Sequence, residues 1–441
     1  MNAPVRSGVF QARAAWTALA FVCAIAIINY TDRMTLAAMV PRIKAEFGST
    51  DSQIGWLSAS FALVYSICGL PLARWADVSS SRRAILGITA ALWSIMTAAC
   101  GLAQSYGMLF AARCGVAVGE AGQFPAAYSM LSDYFPAARR NFAIGTLIAS
   151  SALGVVGGLA LGGWLASAIG WRGAFIVIGL PGVVLALLAY VFVREPLRGA
   201  FDHGQYPLDG ERSLWTTFTT LLRNRLYVLL TLTAGFNGYC AIGMVQWLPS
   251  YFDRTFHLPL ATIGLLFGTA FGLGLGAGQL AGAVLAARLA RRSIAEPLKL
   301  CALSNTLIAP GYLMVLCAPT AGFAIMMTLV TAVIAGLGHA SQAAGTQNAV
   351  PPRLRGAAHG ILSVLVSGIG MGVGPLMVGV ISDRLQPTLG NAEALRYALC
   401  ISQILHVTAA FTAWAALLTA RRSVATAPAP LAAIDAGLAD L

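Results

Sequence analysis

The chain has 441 residues, 58% of them hydrophobic and 10% charged, with a mean hydropathy of +0.76. A soluble globular domain carries roughly 25% charged residues, so the solvent of this fold is a lipid bilayer rather than water. The formal net charge of +12 would suit a polyanion, but its distribution along the chain is that of a topology signal and excludes a nucleic-acid surface as its purpose.

An apolar run of about 20 residues crosses the hydrocarbon as a helix, because a helix satisfies its own backbone polar groups. Twelve such runs occur, centred near residues 25, 63, 93, 120, 153 and 182, then 237, 273, 307, 333, 369 and 407. The first, Ala14 to Met39, is too long for a signal-peptide core and lacks a convincing cleavage site, so it is expected to stay as a helix. The polar stretch 194–224 is the only long internal break. It divides the chain into a tail (1–13), a six-helix bundle (14–193), a cytoplasmic linker (194–224), a second six-helix bundle (225–420) and an Ala- and Pro-rich tail (421–441) expected to be disordered. The predicted fold class is an all-α membrane protein of twelve transmembrane helices in two six-helix bundles, pseudo-two-fold related.

The second half repeats the first. Pro41, Phe47, Ile54 and Gly55 recur as Pro249, Phe256, Ile263 and Gly264, and Phe135-Pro136, Arg139, Gly145 and Gly157 as Val350-Pro351, Arg355, Gly360 and Gly372. A period of this length is a duplicated domain, since solenoid units run to roughly 20 to 50 residues.

With the N-terminus placed in the cytoplasm, 20 of the 28 basic residues fall in cytoplasmic segments. Six fall outside (Arg42, Lys44, Arg172, Arg254, Arg384, Arg396) and two lie inside runs (Arg33, Arg113). That bias predicts a multi-pass protein of the plasma (inner) membrane with both termini cytoplasmic. The eight cysteines lie in or beside apolar runs without a CxxC pair and are expected to pack as small hydrophobes. No metal or cofactor site, phosphate-binding loop or nucleophile constellation is present, so neither enzymatic chemistry nor direct ATP drive is expected.

Charges inside apolar runs carry the most information, because each costs roughly 2.5 to 3.5 kcal/mol at mid-helix on insertion scales. The first run holds Asn29-Tyr30-Thr31-Asp32-Arg33, and the fourth holds Arg113 and Glu120. Seven residues are two helical turns, so Arg113 and Glu120 share a face about 10 Å apart along the axis. The economical arrangement is a cluster of two carboxylates and two guanidiniums. Arg does not release its proton in a protein, so Asp32 and Glu120 are the titrating members and the candidate proton-coupling pair; a structural ion network joining the two helices is the competing reading. Arg33, Arg113, Tyr30, Asn237 and His339 are candidate charge partners or substrate ligands, with Gln279, Gln246, Asn305, Gln347 and Asn348 as polar residues that line a cavity or bridge helices. Asp77 with Arg82-Arg83, and Arg139-Arg140, read as a cytoplasmic gating motif. Gly-rich stretches in the fifth, eighth and eleventh runs allow close helix approach.

Taken in order, Asn29-Tyr-Thr-Asp-Arg33, Arg113-Cys-Gly-Val-Ala-Val-Gly-Glu-Ala121, Ala127 to Pro136, Gly170-Trp-Arg-Gly-Ala-Phe175, Val193-Arg-Glu-Pro196 and Gln347 to Arg353 resemble the major facilitator superfamily over residues 14 to 420. The likeness is strongest to its spinster-like branch. The organic anion/proton symporters share the Asp-Arg, Arg and Glu positions and the Phe124-Pro-Ala126 segment. The resemblance implies alternating access and a proton-coupled secondary transporter of an amphipathic or organic, anionic solute, with small-molecule or lipid-like substrate, protons and the bilayer as partners, and a monomer. A membrane receptor or scaffold on the same fold is the alternative. The chain departs from the family pattern at Ala73, where Gly is usual, at Val78 and Ser81, where basic residues are usual, and at Ala287, where the repeat expects Asp.

Overall fold

The computed structural model describes residues 4–197, 214–293, 295–351, 354, 358, 361–362 and 366–425. Among these there is no strand, and the chain forms two compact units, Met1–Asp209 with Leu258–Gly268, and Gly210–His257 with Thr269–Leu441. Of the described helices, 10 are long and apolar enough to cross a membrane.

The first unit contains α1 (Pro4–Phe47), α2 (Asp51–Val78), α3 (Arg82–Cys100), α4 (Tyr106–Tyr134), α5 (Ala137–Ala168) and α6 (Gly170–Phe192). α1 ends at Gly48, whose φ of 61° is left-handed, and Thr50 with Gln53 forms a reciprocal capping box that starts α2. Ser105 caps α4 by accepting from the Met108 N–H. α1 runs along α5, α3 packs on both α4 and α6, and α2 lies on α4.

Two glycine seams fix the rotation of the helices that carry charge. The Thr31 and Thr35 hydroxyls of α1 lie 3.4 Å from the carbonyls of Gly154 and Gly158 on α5, and a Cβ at Gly158 would come within 2.7 Å of the Met34 Cβ. On α4 a Cβ at Gly119 would lie 2.5 Å from the Trp93 amide nitrogen of α3, and one at Gly115 2.6 Å from the Met96 sulfur. With Thr31 and Thr35 committed to α5 and Gly115 and Gly119 to α3, the turn of about 100° per residue brings Asp32 and Arg33 round to α4, and Arg113 and Glu120 round to α1.

The second unit contains α7 (Leu214–Arg223), α8 (Arg225–Phe256), most of α9 (Leu260–Ala290), α10 (Leu298–Leu316), α11 (Ala321–Asn348), a π-helical turn (Val366–Val373) leading into α12 (Gly374–Leu389), α13 (Asn391–Ser402) and α14 (Ile404–Ala425). α10 packs on α11 and α14, and α8 on α14 and the π-turn. Buried polar ties cross this core: the Trp247 indole donates to the Pro375 carbonyl at 2.9 Å, and the Thr233 and Thr412 hydroxyls meet at 2.8 Å.

Four details differ from the sequence reading. The fourth apolar run does form α4, but Arg113, Glu120 and Asp133 leave it less apolar than the ten. The run centred near 369 is described in part, residues 363–365 lying outside the described set. Residues 4–13 extend α1, with Pro4 at its first turn where a missing N–H is harmless. Arg421 to Ala425 continue α14, held by the Arg421 guanidinium 2.8 Å from Glu296, while residues 426–441 and 198–213 lie outside the described residues.

Candidate functional site

The four charges in the first unit's helices meet as two crossed ion pairs. Arg113 Nη1 lies 3.1 Å from Asp32 Oδ2, and Arg33 Nε lies 2.5 Å from Glu120 Oε2. Each pair joins α1 to α4. Asp32 and Glu120 are fully buried and Arg113 is 3% exposed. The neighbours Asp32 and Arg33 diverge by about 100° on α1, and each reaches a different turn of α4.

Aromatic rings surround the guanidiniums. The Arg33 guanidinium carbon is 5.3 Å from the Tyr30 ring, 5.3 Å from Phe61 and 5.1 Å from Tyr65, and that of Arg113 is 5.2 Å from Phe61. Phe61 thus touches both cations, while Tyr30 makes an edge contact with Phe124 of α4. A cation over a ring face gains roughly 0.5 to 2 kcal/mol, so three rings hold the Arg33 charge in place independently of its carboxylate. Asn29 and Gln123 are buried beside this cluster, and both polar atoms of Asn29 and Oε1 of Gln123 lack a hydrogen-bond partner. The aromatic members from α2 carry no charge and no motif; the stacked i, i+4 pair Phe61 and Tyr65 was the available signal.

A second cluster gathers at the start of α3. Arg82, 2% exposed, pairs with Asp133 of α4, reaches Glu195 Oε1 at 2.8 Å and donates to the Ser129 hydroxyl at 3.0 Å and the Pro196 carbonyl at 3.2 Å. The Arg83 backbone N–H donates to Glu195 Oε2 at 2.9 Å and its guanidinium lies 5.2 Å from the Tyr190 ring. Arg140 donates to the Ser132 carbonyl at 2.8 Å and Arg139 is exposed. Asp77 lies in the last turn of α2, and its side chain is outside the described residues. Asp133 and Glu195, the acids that Arg82 uses, were not singled out from the sequence, although each sits in a segment that carries the family likeness.

In the second unit Asn237 is half-buried, its Oδ1 enclosed without a hydrogen-bond partner. His339 is exposed, its Nδ1 3.2 Å from Gln279 Nε2 on α9. His406 is buried, stacked on Tyr312 with its Nδ1 2.8 Å from Gln403 Oε1, and was not noticed in the sequence.

A mycobacterial relative, an MFS-type efflux pump of Mycolicibacterium smegmatis, is 28% identical over 415 residues, covering 93% of this chain and 95% of its own. A cis,cis-muconate transport protein of Acinetobacter baylyi is 31% identical over 233 residues, covering 52% of this chain and 55% of that protein. The crystal structure of a bacterial homologue of the human lysosomal transporter spinster superposes with a TM-score of 0.85 at 25% identity, covering 93% of this chain and 98% of that one. The Major Facilitator Superfamily model matches residues 22–375. The chain is a multi-pass membrane protein that belongs to the major facilitator superfamily of transporters.

Proposed function

We propose that the protein is a proton-coupled secondary transporter of an organic anion that works by alternating access, with Arg33 as the anion ligand, Glu120 as the coupling carboxylate, and Arg113 with Asp32 as a fixed pair beside them. The observation that carries this reading is the Arg33–Glu120 contact at 2.5 Å inside an aromatic cage. Arg33 keeps its charge at any pH a cell reaches, so the pair is broken only by protonating Glu120 or by giving Arg33 another anion. A solute carboxylate and the Glu120 carboxylate compete for one guanidinium. Binding of the solute and binding of a proton to Glu120 therefore favour each other, and linkage makes the effect reciprocal. A proton and an anion that favour each other's binding travel together, which is symport.

The mutual arrangement supports Arg33 rather than Arg113 for the ligand role. Among the described residues one ring faces Arg113, which is almost completely enclosed, whereas three rings face Arg33 and hold it when its carboxylate lets go. Relatives named as muconate and hexuronate transporters handle small organic acids, which favours an acid over a lysolipid as cargo. The test is uptake or release of a panel of organic acids by the reconstituted full chain under an imposed pH gradient. Movement that follows the proton gradient supports the reading, and indifference to that gradient overturns the coupling. Binding without any movement would favour the receptor alternative.

A further inference from the structure

Two fully buried amides beside the crossed pairs have no task in that scheme. Asn29 of α1 is 0% exposed and Gln123 of α4 1%, and among the described residues neither amide atom of Asn29 nor Oε1 of Gln123 has a hydrogen-bond partner. A buried group left unpaired costs its full desolvation, so three open atoms in one place call for a partner that packing does not supply. Both amides lie on the seam between α1 and α4. At about 100° per residue, Asn29 falls between Asp32 and Arg33, about 60° from one and about 40° from the other, and about 160° from Thr31, whose hydroxyl faces α5. The Tyr30 and Phe124 rings, one from each helix, meet edge to face with centroids 6.1 Å apart, which brings their chain neighbours Asn29 and Gln123 to one level. Asn29 is about one turn from Arg33 and Gln123 about one turn from Glu120. Both amides therefore lie roughly 4.5 to 6 Å along the helix axes from the Arg33–Glu120 contact.

The open atoms define the group that fits them. The Asn29 amide offers a donor and an acceptor, and Gln123 Oε1 offers a second acceptor. A carboxylate only accepts and would face two acceptor oxygens, while a cation only donates and would sit beside two guanidiniums. A hydroxyl donates and accepts at one atom. We propose that Asn29 and Gln123 bind hydroxyls of the transported anion, so that the cargo is a polyhydroxylated acid whose carboxylate takes the place of Glu120 on Arg33 and whose hydroxyls lie several carbons away. This deepens the anion-transport reading and rests on it, since a solute that displaces the buried Glu120 carboxylate meets the amides one turn further on. Selectivity follows from the same burial. A hydrocarbon tail leaves the amides unpaired, and a site built to hydrogen-bond a hydroxyl rejects the analogue that lacks it far more strongly than an apolar pocket rejects a missing methylene.

Two six-carbon acids with one carboxylate each provide the test: gluconate, hydroxylated along its chain, and hexanoate, whose chain is bare. Binding to the purified full-length chain is measured by calorimetry for wild type, Asn29→Leu and Gln123→Met, with the unliganded thermal stability of each recorded alongside. A wider panel of hydroxylated and bare acids is run on the wild type, and its tightest hydroxylated binder replaces gluconate in the comparison if gluconate is weak. The wild type is expected to hold the hydroxylated acid at least about tenfold more tightly than hexanoate, and each variant to weaken it about tenfold while holding hexanoate at least as well. Both replacements are close in volume and remove an unpaired amide rather than a satisfied one, so unliganded stability should be kept. Equal wild-type affinity for the two acids, equal loss of both in a variant, or hydroxylated-acid binding unchanged in both variants overturns the proposal. So does a drop in unliganded stability in both variants, which would mark the amides as structural. Silence of the wild type towards the whole panel sinks the underlying anion reading together with this one, whereas binding confined to bare acids sinks this one alone.

Discussion

Replacing Glu120 by Gln is the most informative perturbation of the crossed pairs, because it removes the internal competitor for Arg33 and leaves the shape of the site almost unchanged. Two opposite unit charges about 4 Å apart attract by about 4 kcal/mol at an effective permittivity near 20. Most of that is offset by the desolvation of two buried groups, and the part that couples two ligands is typically about 1 to 3 kcal/mol, or 5- to 150-fold in affinity. On the proposed reading, an organic acid binding to the wild type displaces a carboxylate that is fully buried and 2.5 Å from the guanidinium. Its affinity is therefore expected to rise as pH falls, with about one proton taken up per anion bound, the ratio set by one shared guanidinium. In Glu120→Gln the affinity at pH 8 is expected to be tighter by an order of magnitude or so and independent of pH. Calorimetry in two buffers of different ionisation enthalpy counts the protons. Proton uptake that persists in the variant, or an anion affinity that drops with its pH dependence intact, would refute the competition. Asp32→Asn provides the contrast: it strands a guanidinium that is 3% exposed, so a stability loss of about 3 to 5 kcal/mol with no gain in affinity is expected.

Removing Arg82 leaves Asp133 and Glu195 without their shared cation, and Arg82→Ala is expected to lower stability by about 3 kcal/mol or more, whereas Glu195→Gln, at an acid with 23% side-chain exposure, should cost about 1 kcal/mol or less; thermal unfolding followed by tryptophan fluorescence separates the two. Gly336→Ala pushes a Cβ to 2.5 Å from the Leu275 carbonyl, a backbone atom that cannot turn away, so α9 and α11 must separate and stability should fall, readable in the same thermal scan. Phe61→Leu keeps the volume roughly but removes the ring against both guanidiniums, and a loss of about 1 kcal/mol in anion-free stability is expected, with Tyr65→Phe near neutral. Glu296, between α9 and α10, is held below its ordinary 4.5 by hydrogen bonds from Lys299 and then Arg421. A depressed carboxyl contributes stability above its unfolded value and loses it as pH falls through the folded one, so the wild type should lose stability below pH 4.5 by an amount that Glu296→Gln does not, as pH-dependent unfolding would show.

The cluster's membership was legible because four charges in apolar runs are conspicuous and the seven-residue spacing of Arg113 and Glu120 fixes a common face. Its wiring was not. Which turn of α4 each of Asp32 and Arg33 meets depends on the rotation of α1, which is set by where Thr31 and Thr35 settle against Gly154 and Gly158, a contact 123 residues apart in sequence. The aromatic cage was hidden for the same reason: Phe61 and Tyr65 look like any apolar pair until α2 is laid on α4. Arg82 also finds Asp133 and Glu195, 51 and 113 residues away, since a guanidinium has five donors and takes several partners when several are near. The polar stretch read as linker contains α7, whose apolar side is too short to register as a run.

The crossed pairs also bear on how the chain is made. α1 emerges from the ribosome carrying Asp32 and Arg33, and the residues that neutralise them follow 81 and 87 positions later on α4. Until then each charge disfavours insertion by roughly 2.5 to 3.5 kcal/mol, and α4 faces the same penalty for Arg113 and Glu120. α1 is apolar enough to cross on its own composition, whereas α4 is not among the ten helices that are, so the penalty falls hardest on α4. α1 is therefore expected to insert first and to serve as the surface against which α4 enters, Asp32 and Arg33 offsetting the charges of Arg113 and Glu120. A chain in which Asp32 and Arg33 are both replaced by Leu is expected to insert α4 less completely, as glycosylation mapping would show, so that the crossed charges first act as a guide to assembly.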